Sequence, residues 1–213
     1  AMLDLSRREL DVFWSVGALA SPEAYEHGYL AWAVMEIACE REPENFALLR
    51  GLTDATATMT LAIDFEEKGL RKDTFDVLWP LFQKQHDLII AGKAPVSPET
   101  MIAMADWTNM SMQRAWLAGE PKEEWAAVMV PGYDWLVANA KTYGCEEALP
   151  DINARSNCVR SGAPAAVGLC TSLADQGTDE GLKLWMQHAR RMVTIRGSRK
   201  YRESMLNLWE KPG

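Results

Sequence analysis

Apolar residues recur at spacings of three and four along most of this chain, the pattern of amphipathic helices. No series alternates apolar and polar residues over the length of a strand, as a β-sheet would require. Capping residues, glycines and prolines divide the chain into about eight helical segments. The sequence therefore predicts an all-α fold of about eight amphipathic helices packed as antiparallel pairs, either as an α-solenoid or as an irregular helical bundle.

Local signals predict where the first helices begin and end. Ser6 and Glu9 have the spacing of a capping box, so we expect a first helix to begin at Ser6 and to end near Gly17. The tripeptide at 21–23, Ser-Pro-Glu, combines a cap, a first-turn proline and an acid, and predicts a second start. The same tripeptide at 97–99 predicts another.

The helix that begins near position 22 carries two neighbouring apolar stripes. The stripes consist of Tyr25, Tyr29, Trp32 and Cys39, and of Leu30, Val34 and Ile37. A helix that is apolar around much of its circumference is typical of a protein interior. We therefore expect this helix to be buried on most sides.

Further helices are predicted to the end of the chain. One runs from about Glu44 to Glu67, and the next runs from Asp73 to Gly92 with a kink or a fresh start at Pro80. A kinked helix is expected over 125–143. The predicted domain organisation is a single helical domain over 1–213, with a loop-rich connection at 144–177 before a C-terminal helical hairpin at 178–211.

One short segment has the residue spacing of a known repeat family. Ala31, Met35, Ala38 and Pro43 match the Ala, Phe, Ala and Pro spacing in the second helix of a tetratricopeptide repeat, which this segment resembles over about thirteen residues. The resemblance implies an α-solenoid that presents a concave surface to another protein.

The charge and the apolar content of the chain argue against some classes of function. The net charge of −8 opposes non-specific binding of nucleic acid by the body of the chain. No apolar run approaches the length of a membrane span, and the N terminus lacks a secretory core, so we expect no membrane association and a cytoplasmic protein.

Ala1 and Met2 are typical of an expression remnant, which leaves open whether another segment precedes Leu3. A disulfide among Cys145, Cys158 and Cys170 is likewise left open.

Charge is distributed unevenly along the chain. Residues 183–213 hold 8 basic and 2 acidic residues, a net of +6, whereas residues 1–182 hold 14 basic and 28 acidic residues, a net of −14. Arginine forks suit phosphate or carboxylate groups. The candidate residues for an anionic partner are Arg190, Arg191, Arg196, Arg199, Lys200 and Arg202. The alternative interpretation is that this hairpin neutralises the acidic body of the same chain.

A second group of residues is the candidate lining of a small-ligand pocket. It consists of His27, Tyr29 and Trp32 near one another in sequence, and of Asp106, Asn109 and Gln113 at helical spacing. No histidine stands in a two-ligand metal spacing or beside a nucleophile motif, so we predict no catalytic residue, no metal and no cofactor.

These observations favour a non-enzymatic helical module whose partner is another protein, with a homo-oligomer also open. The first alternative is an all-α enzyme or small-ligand-binding protein that uses the pocket near His27 and Trp32 or near Asp106. The second is binding of a polyanion or nucleic acid through the basic hairpin.

Overall fold

The structure, a computed structural model, describes residues 1–15, 22–64, 72–118, 131–132, 134–140 and 142, with the side chains of 60–64, 72–75, 109 and 112–118 left undescribed. Every regular element within these ranges is helical, which confirms the all-α prediction for this part of the chain. The predicted hairpin at 178–211 and the connection at 144–177 lie outside it, and the predicted kinked helix at 125–143 is described only at 131–132, 134–140 and 142, where 131–132 and 134–140 are helical.

Five helices have defined bounds. They are α1 (Met2–Ser15), α2 (Pro22–Arg41), α3 (Phe46–Asp64), α4 (Lys72–Ile90) and α5 (Pro98–Ala118). The Ser-Pro-Glu starts are confirmed, since Pro22 and Pro98 are the first residues of α2 and α5. Proline suits this position because its missing N–H would have no partner within the helix.

The helix ends show how the capping side chains act. The Ser97 hydroxyl accepts a hydrogen bond from the Thr100 N–H at 3.2 Å, and the Thr100 hydroxyl accepts one from the Ser97 N–H at 2.8 Å. At α3 the side-chain Oδ1 of Asn45 accepts hydrogen bonds from the N–H groups of Ala47 and Leu48 at 3.1 and 3.3 Å. Two otherwise unsatisfied donors are thereby paired at the start of α3.

The predicted end of α4 at Gly92 is confirmed. Gly92 has a φ of +68°, its N–H bonds the Ile89 carbonyl, and the Lys93 N–H bonds the Leu88 carbonyl at 2.9 Å. This is a Schellman motif, in which a residue without Cβ takes the left-handed conformation at little cost.

One boundary prediction is wrong. Helix α1 begins at Met2, and Ser6 lies buried within it, where its hydroxyl donates to the Ala31 carbonyl of α2 at 3.1 Å. Ser6 therefore joins two helices and caps neither. Of the two outcomes predicted at Pro80, the fresh start does not occur, because α4 continues through Pro80 as one element, and the kink stays a prediction, since Pro80 has no N–H for the Asp76 carbonyl.

The chain divides into two compact units, with the boundary inside α4 between Leu81 and Phe82. In the first unit α2 packs against both α1 and α3. Leu3 lies near Met35 beside Gly51, whereas Phe13 approaches Gly28, so contacts along α1 and α2 run in opposite directions. Helices α1 and α2 are therefore antiparallel.

A stripe of mostly small residues on α2 makes this packing possible. The stripe consists of Ala24, Gly28, Ala31, Met35 and Ala38, all of which are buried. A Cβ at Gly28 would lie 3.1 Å from Phe13 Cδ2 and 3.0 Å from Met59 Sδ. Small side chains let neighbouring helices approach closely, and the first unit is organised around this stripe.

The described core of the second unit surrounds α5. Every residue from Thr100 to Thr108 is buried, as expected for a helix enclosed on all sides. The hydroxyls of Thr108 and Ser111 donate to the carbonyls of Met104 and Trp107, both at 2.9 Å. Polar side chains are therefore accommodated within α5 without leaving these hydroxyls unsatisfied.

The surroundings of Gly132 show how tightly this core is packed. A Cβ at position 132 would lie 2.7 Å from Cζ3 of the buried Trp107 ring. We expect Gly132→Ala to lower the free energy of unfolding by about 2 kcal/mol, because a rigid indole must shift to admit the methyl group. Urea denaturation followed by circular dichroism measures the change.

The matched control is Gly51→Ala in α3. The added Cβ would also meet an atom at 2.7 Å, but that atom is the terminal methyl Cδ1 of the partly exposed Leu3, which can rotate away. Alanine also favours the helix by about 1 kcal/mol over glycine. Equal destabilisation by the two substitutions would contradict the interpretation that the buried Trp107 ring cannot easily move to admit a methyl group.

Candidate functional site

Helix α2 exposes large apolar side chains on the side opposite its buried stripe. Tyr25, Tyr29, Leu30 and Ile37, hereafter the α2 surface, are 45, 51, 44 and 46% exposed. With the 100° step of an α-helix they cover an arc of about 140°. The expectation that α2 is buried around most of its circumference is therefore wrong, because small residues form its buried face and large ones face solvent.

Acidic side chains lie within and beside the α2 surface. Glu23, Glu26 and Glu40 are exposed on the same helix, and Glu36 is half-buried. Glu26 and Glu40 fall inside the arc that the four apolar residues cover. The α2 surface thus combines apolar area with negative charge.

The aromatic residues predicted for a pocket are partly brought together. The rings of Tyr29 and Trp32 have centroids 5.7 Å apart with an interplanar angle of 44°. Trp32 also packs against the buried Leu10, Ala31 and Ala55, so one part of this aromatic pair belongs to the core and the other to the surface.

His27 lies on a different side of α2 from Tyr29. Its Nδ1 is 2.6 Å from Glu9 Oε2 of α1, and the two side chains are 29 and 16% exposed. An ionised carboxylate only accepts hydrogen bonds, so Nδ1 carries the proton in this pair. The pair links α1 to α2.

The Glu9–His27 contact predicts a measurable coupling between the two helices. In a double-mutant cycle of Glu9→Gln and His27→Gln, we expect a coupling free energy of about 1 kcal/mol, because the contact is short but partly screened by solvent. Chemical denaturation of the four proteins gives this value. Strictly additive losses would show that the pair contributes nothing beyond its separate side chains.

The other predicted pocket residues lie on α5. Asp106 is buried at 1% exposure in the second unit and is engaged in an interaction. Asn109 and Gln113 lie within the bounds of α5, but their side chains are outside the described set. The small-ligand interpretation stays a prediction.

An aromatic and polar network in the second unit was not anticipated from the sequence. The rings of His86 and Trp107 stack with centroids 3.9 Å apart and an interplanar angle of 19°. Trp107 Nε1 donates to Gln83 Oε1 at 3.1 Å, and Gln83 Nε2 donates to Asp87 Oδ1 at 2.8 Å. In the sequence, the only signal for this network is the helical spacing of Gln83, His86 and Asp87 on α4.

Two further buried polar features concern α3. Arg50 is 1% exposed and Thr53 is fully buried, and the Thr53 hydroxyl donates to the Leu49 carbonyl at 2.8 Å. Arg50 is engaged in an interaction, as expected for a charge inside a protein. Arg50 lies four residues before Asp54, which is about one helical turn. This spacing was the signal in the sequence that charged residues share this face of α3.

The six basic candidates between 190 and 202 lie outside the described residues, as do Cys145, Cys158 and Cys170. The anionic-partner interpretation stays a prediction. Within the described ranges, no three His, Cys, Asp or Glu side chains are grouped so that they could hold a metal ion. None of the helices searched there has the length and apolar character needed to cross a membrane.

Comparison with protein-family models, with curated protein sequences and with solved structures gives no match for this chain. The described fold and its exposed side chains are therefore the basis for assigning a function. They define a helical protein with an apolar, acid-lined helix face.

Proposed function

We propose that this chain is a non-enzymatic helical module that binds another protein through the α2 surface. The observation that supports the proposal is the concentration of exposed apolar side chains on one helix. Among the described side chains, four of the eight exposed large hydrophobic ones belong to α2. Grouped apolar exposure, unlike a scattered leucine or valine, marks surfaces that bind other molecules.

The residue types of the α2 surface suit protein recognition. Tyrosine buries a large area at a low cost in side-chain entropy and offers a hydroxyl for a hydrogen bond at the edge of an interface. Tyr25 and Tyr29 are one turn apart, and Leu30 and Ile37 are two turns apart, so a helix or strand could contact all four. Helices α1 and α3 pack against the opposite side of α2 and hold this face in place.

The wider architecture forms part of the same proposal. About eight helices in antiparallel pairs, as an α-solenoid or an irregular bundle, would present α2 within one domain over 1–213. We also propose a cytoplasmic protein whose partner is another protein, with self-association as the competing outcome of the binding test. An α-solenoid would support the module by supplying an extended concave surface.

The experiment compares partner capture by the full chain and by a surface variant. We expect Tyr29→Ser/Leu30→Ser to weaken capture of a specific partner about tenfold, because central aromatic and aliphatic contacts dominate interface energy. Quantitative co-purification followed by titration with the recovered partner provides the measurement. Circular dichroism verifies that the variant remains folded.

The matched control is Val77→Ser/Ile90→Ser, which changes two side chains that are 56 and 49% exposed but lie on α4. Equal weakening by both double variants, or capture unaffected by either, would contradict the proposal. Discovery of a turnover activity that requires His27 would support the enzyme alternative instead.

A further inference from the structure

The charge of α2 restricts what can cover its exposed face. Four acids and one base, Arg41, lie between Pro22 and Arg41, a net of −3 with His27 neutral. Arg41 is the last residue of the helix and lies one turn beyond Ile37, so it borders one end of the α2 surface, whereas Glu26 and Glu40 lie within its arc. A segment that covers this face without a charge penalty must combine apolar side chains with positive charge.

The same chain contains such a segment. Residues 183–213 have a net charge of +6, and Tyr201, Met205, Leu208 and Trp209 recur there at helical spacing. An amphipathic helix with this pattern would place aromatic and aliphatic side chains on the tyrosines of α2 and its bases near Glu26 and Glu40. Charge and apolar content are both complementary to the α2 surface.

We propose that residues 183–213 bind the α2 surface within the same molecule and thereby compete with the protein partner. This inference rests on the proposed function, since it describes regulation of the same surface. A covalently attached competitor acts at a high effective concentration, so a weak contact suffices to reduce partner binding.

Charge and length favour this occupant over others. A second copy that used the same face would bring two net −3 helices together, and a nucleic acid would be repelled by the carboxylates. Residues 143–182 number 40, so the connecting chain can extend to roughly 130 Å, several times the ~30 Å length of a 20-residue helix. The segment is therefore long enough to reach α2.

Zero-length carbodiimide cross-linking of the full chain tests the contact directly. The reagent joins carboxylates to amines that touch, so peptides linking Glu26 or Glu40 to Lys183, Lys200 or Lys211 are expected from the monomer band. We expect Arg199→Glu/Arg202→Glu to abolish these linked peptides and to increase partner capture severalfold, since the competitor is weakened. The control Lys84→Glu/Lys93→Glu makes the same total charge change and should leave both readouts unchanged.

The outcomes separate this inference from the function on which it rests. Linked peptides found only in a dimer band would identify a second copy as the occupant and overturn the inference. Absence of α2 cross-links, or equal capture by wild type and Arg199→Glu/Arg202→Glu, would also overturn it. In each of these cases, loss of capture in Tyr29→Ser/Leu30→Ser would still uphold the protein-binding function.

Discussion

We expect replacement of Phe13 by alanine to lower the free energy of unfolding by about 4 kcal/mol, the cost typical of removing a buried aromatic ring. Phe13 is fully buried, packs with Ala24, and contacts Trp14 edge-on at a centroid distance of 5.4 Å. Because the α1 and α2 backbones are held together at this point, the neighbours cannot close the cavity fully. Urea denaturation measured by circular dichroism gives the change.

The geometry at Gly28 supplies an internal control for Phe13. Gly28→Ala in the wild type brings a methyl group within 3.1 Å of Phe13 Cδ2, whereas Phe13→Ala removes that ring. We therefore expect Gly28→Ala to destabilise the wild type but to be neutral or stabilising by about 1 kcal/mol in the Phe13→Ala protein, where Met59, whose Sδ would lie 3.0 Å from the new methyl group, can shift into the vacated space and helix propensity dominates. Additive effects would contradict a direct Phe13–Gly28 contact, and Val77→Ala at an exposed site should change little.

Trp107→Ala should have a comparable effect on the second unit, a loss of about 4 kcal/mol. The ring is 2% exposed and is fixed by the stack on His86, the bond to Gln83 and the approach of Gly132. Alanine removes all three contacts and leaves a large cavity. Chemical denaturation measures the loss.

Two companion substitutions separate the contributions of Trp107. Trp107→Phe keeps an aromatic ring but has no N–H for Gln83, so we expect a loss of about 1–2 kcal/mol. In the Trp107→Ala protein, Gly132→Ala should cost little, because the indole is gone and Met104, whose Sδ would lie 3.0 Å from the new methyl group, can shift into the space that the indole leaves. A Trp107→Ala protein as stable as Trp107→Phe would show that the aromatic ring contributes nothing to stability through these contacts.

The fold was predictable where local chemistry decides. The proline starts of α2 and α5, the Ser97 cap and the Gly92 stop depend on atoms within a few residues of each other, so the sequence contains the whole cause. Ser6 was misassigned because its partner, the Ala31 carbonyl, is 25 residues away. A serine hydroxyl can satisfy either role, and only packing chooses between them.

The candidate surface was only partly predictable, for a related reason. Large apolar residues surround much of α2, and hydrophobicity alone assigns them to the interior. The stripe Ala24, Gly28, Ala31 and Ala38 was the overlooked signal, because small side chains at spacings of four, three and seven mark the face that neighbouring helices approach. The same reasoning applied to His27 would have placed it between helices, away from Tyr29.

The sequence by itself determined the helical class of the described residues, most of the helix starts and stops, and the contrast between an acidic body and a basic end. Those properties follow from backbone preferences, local capping and the count of charges. Tertiary structure alone decided which face of α2 is buried, that Glu9 pairs with His27, and that Gly132 meets Trp107. Each of these depends on contacts between residues that are distant in the chain. Local chemistry favours no particular face of a helix, and close packing against other helices decides which face is buried.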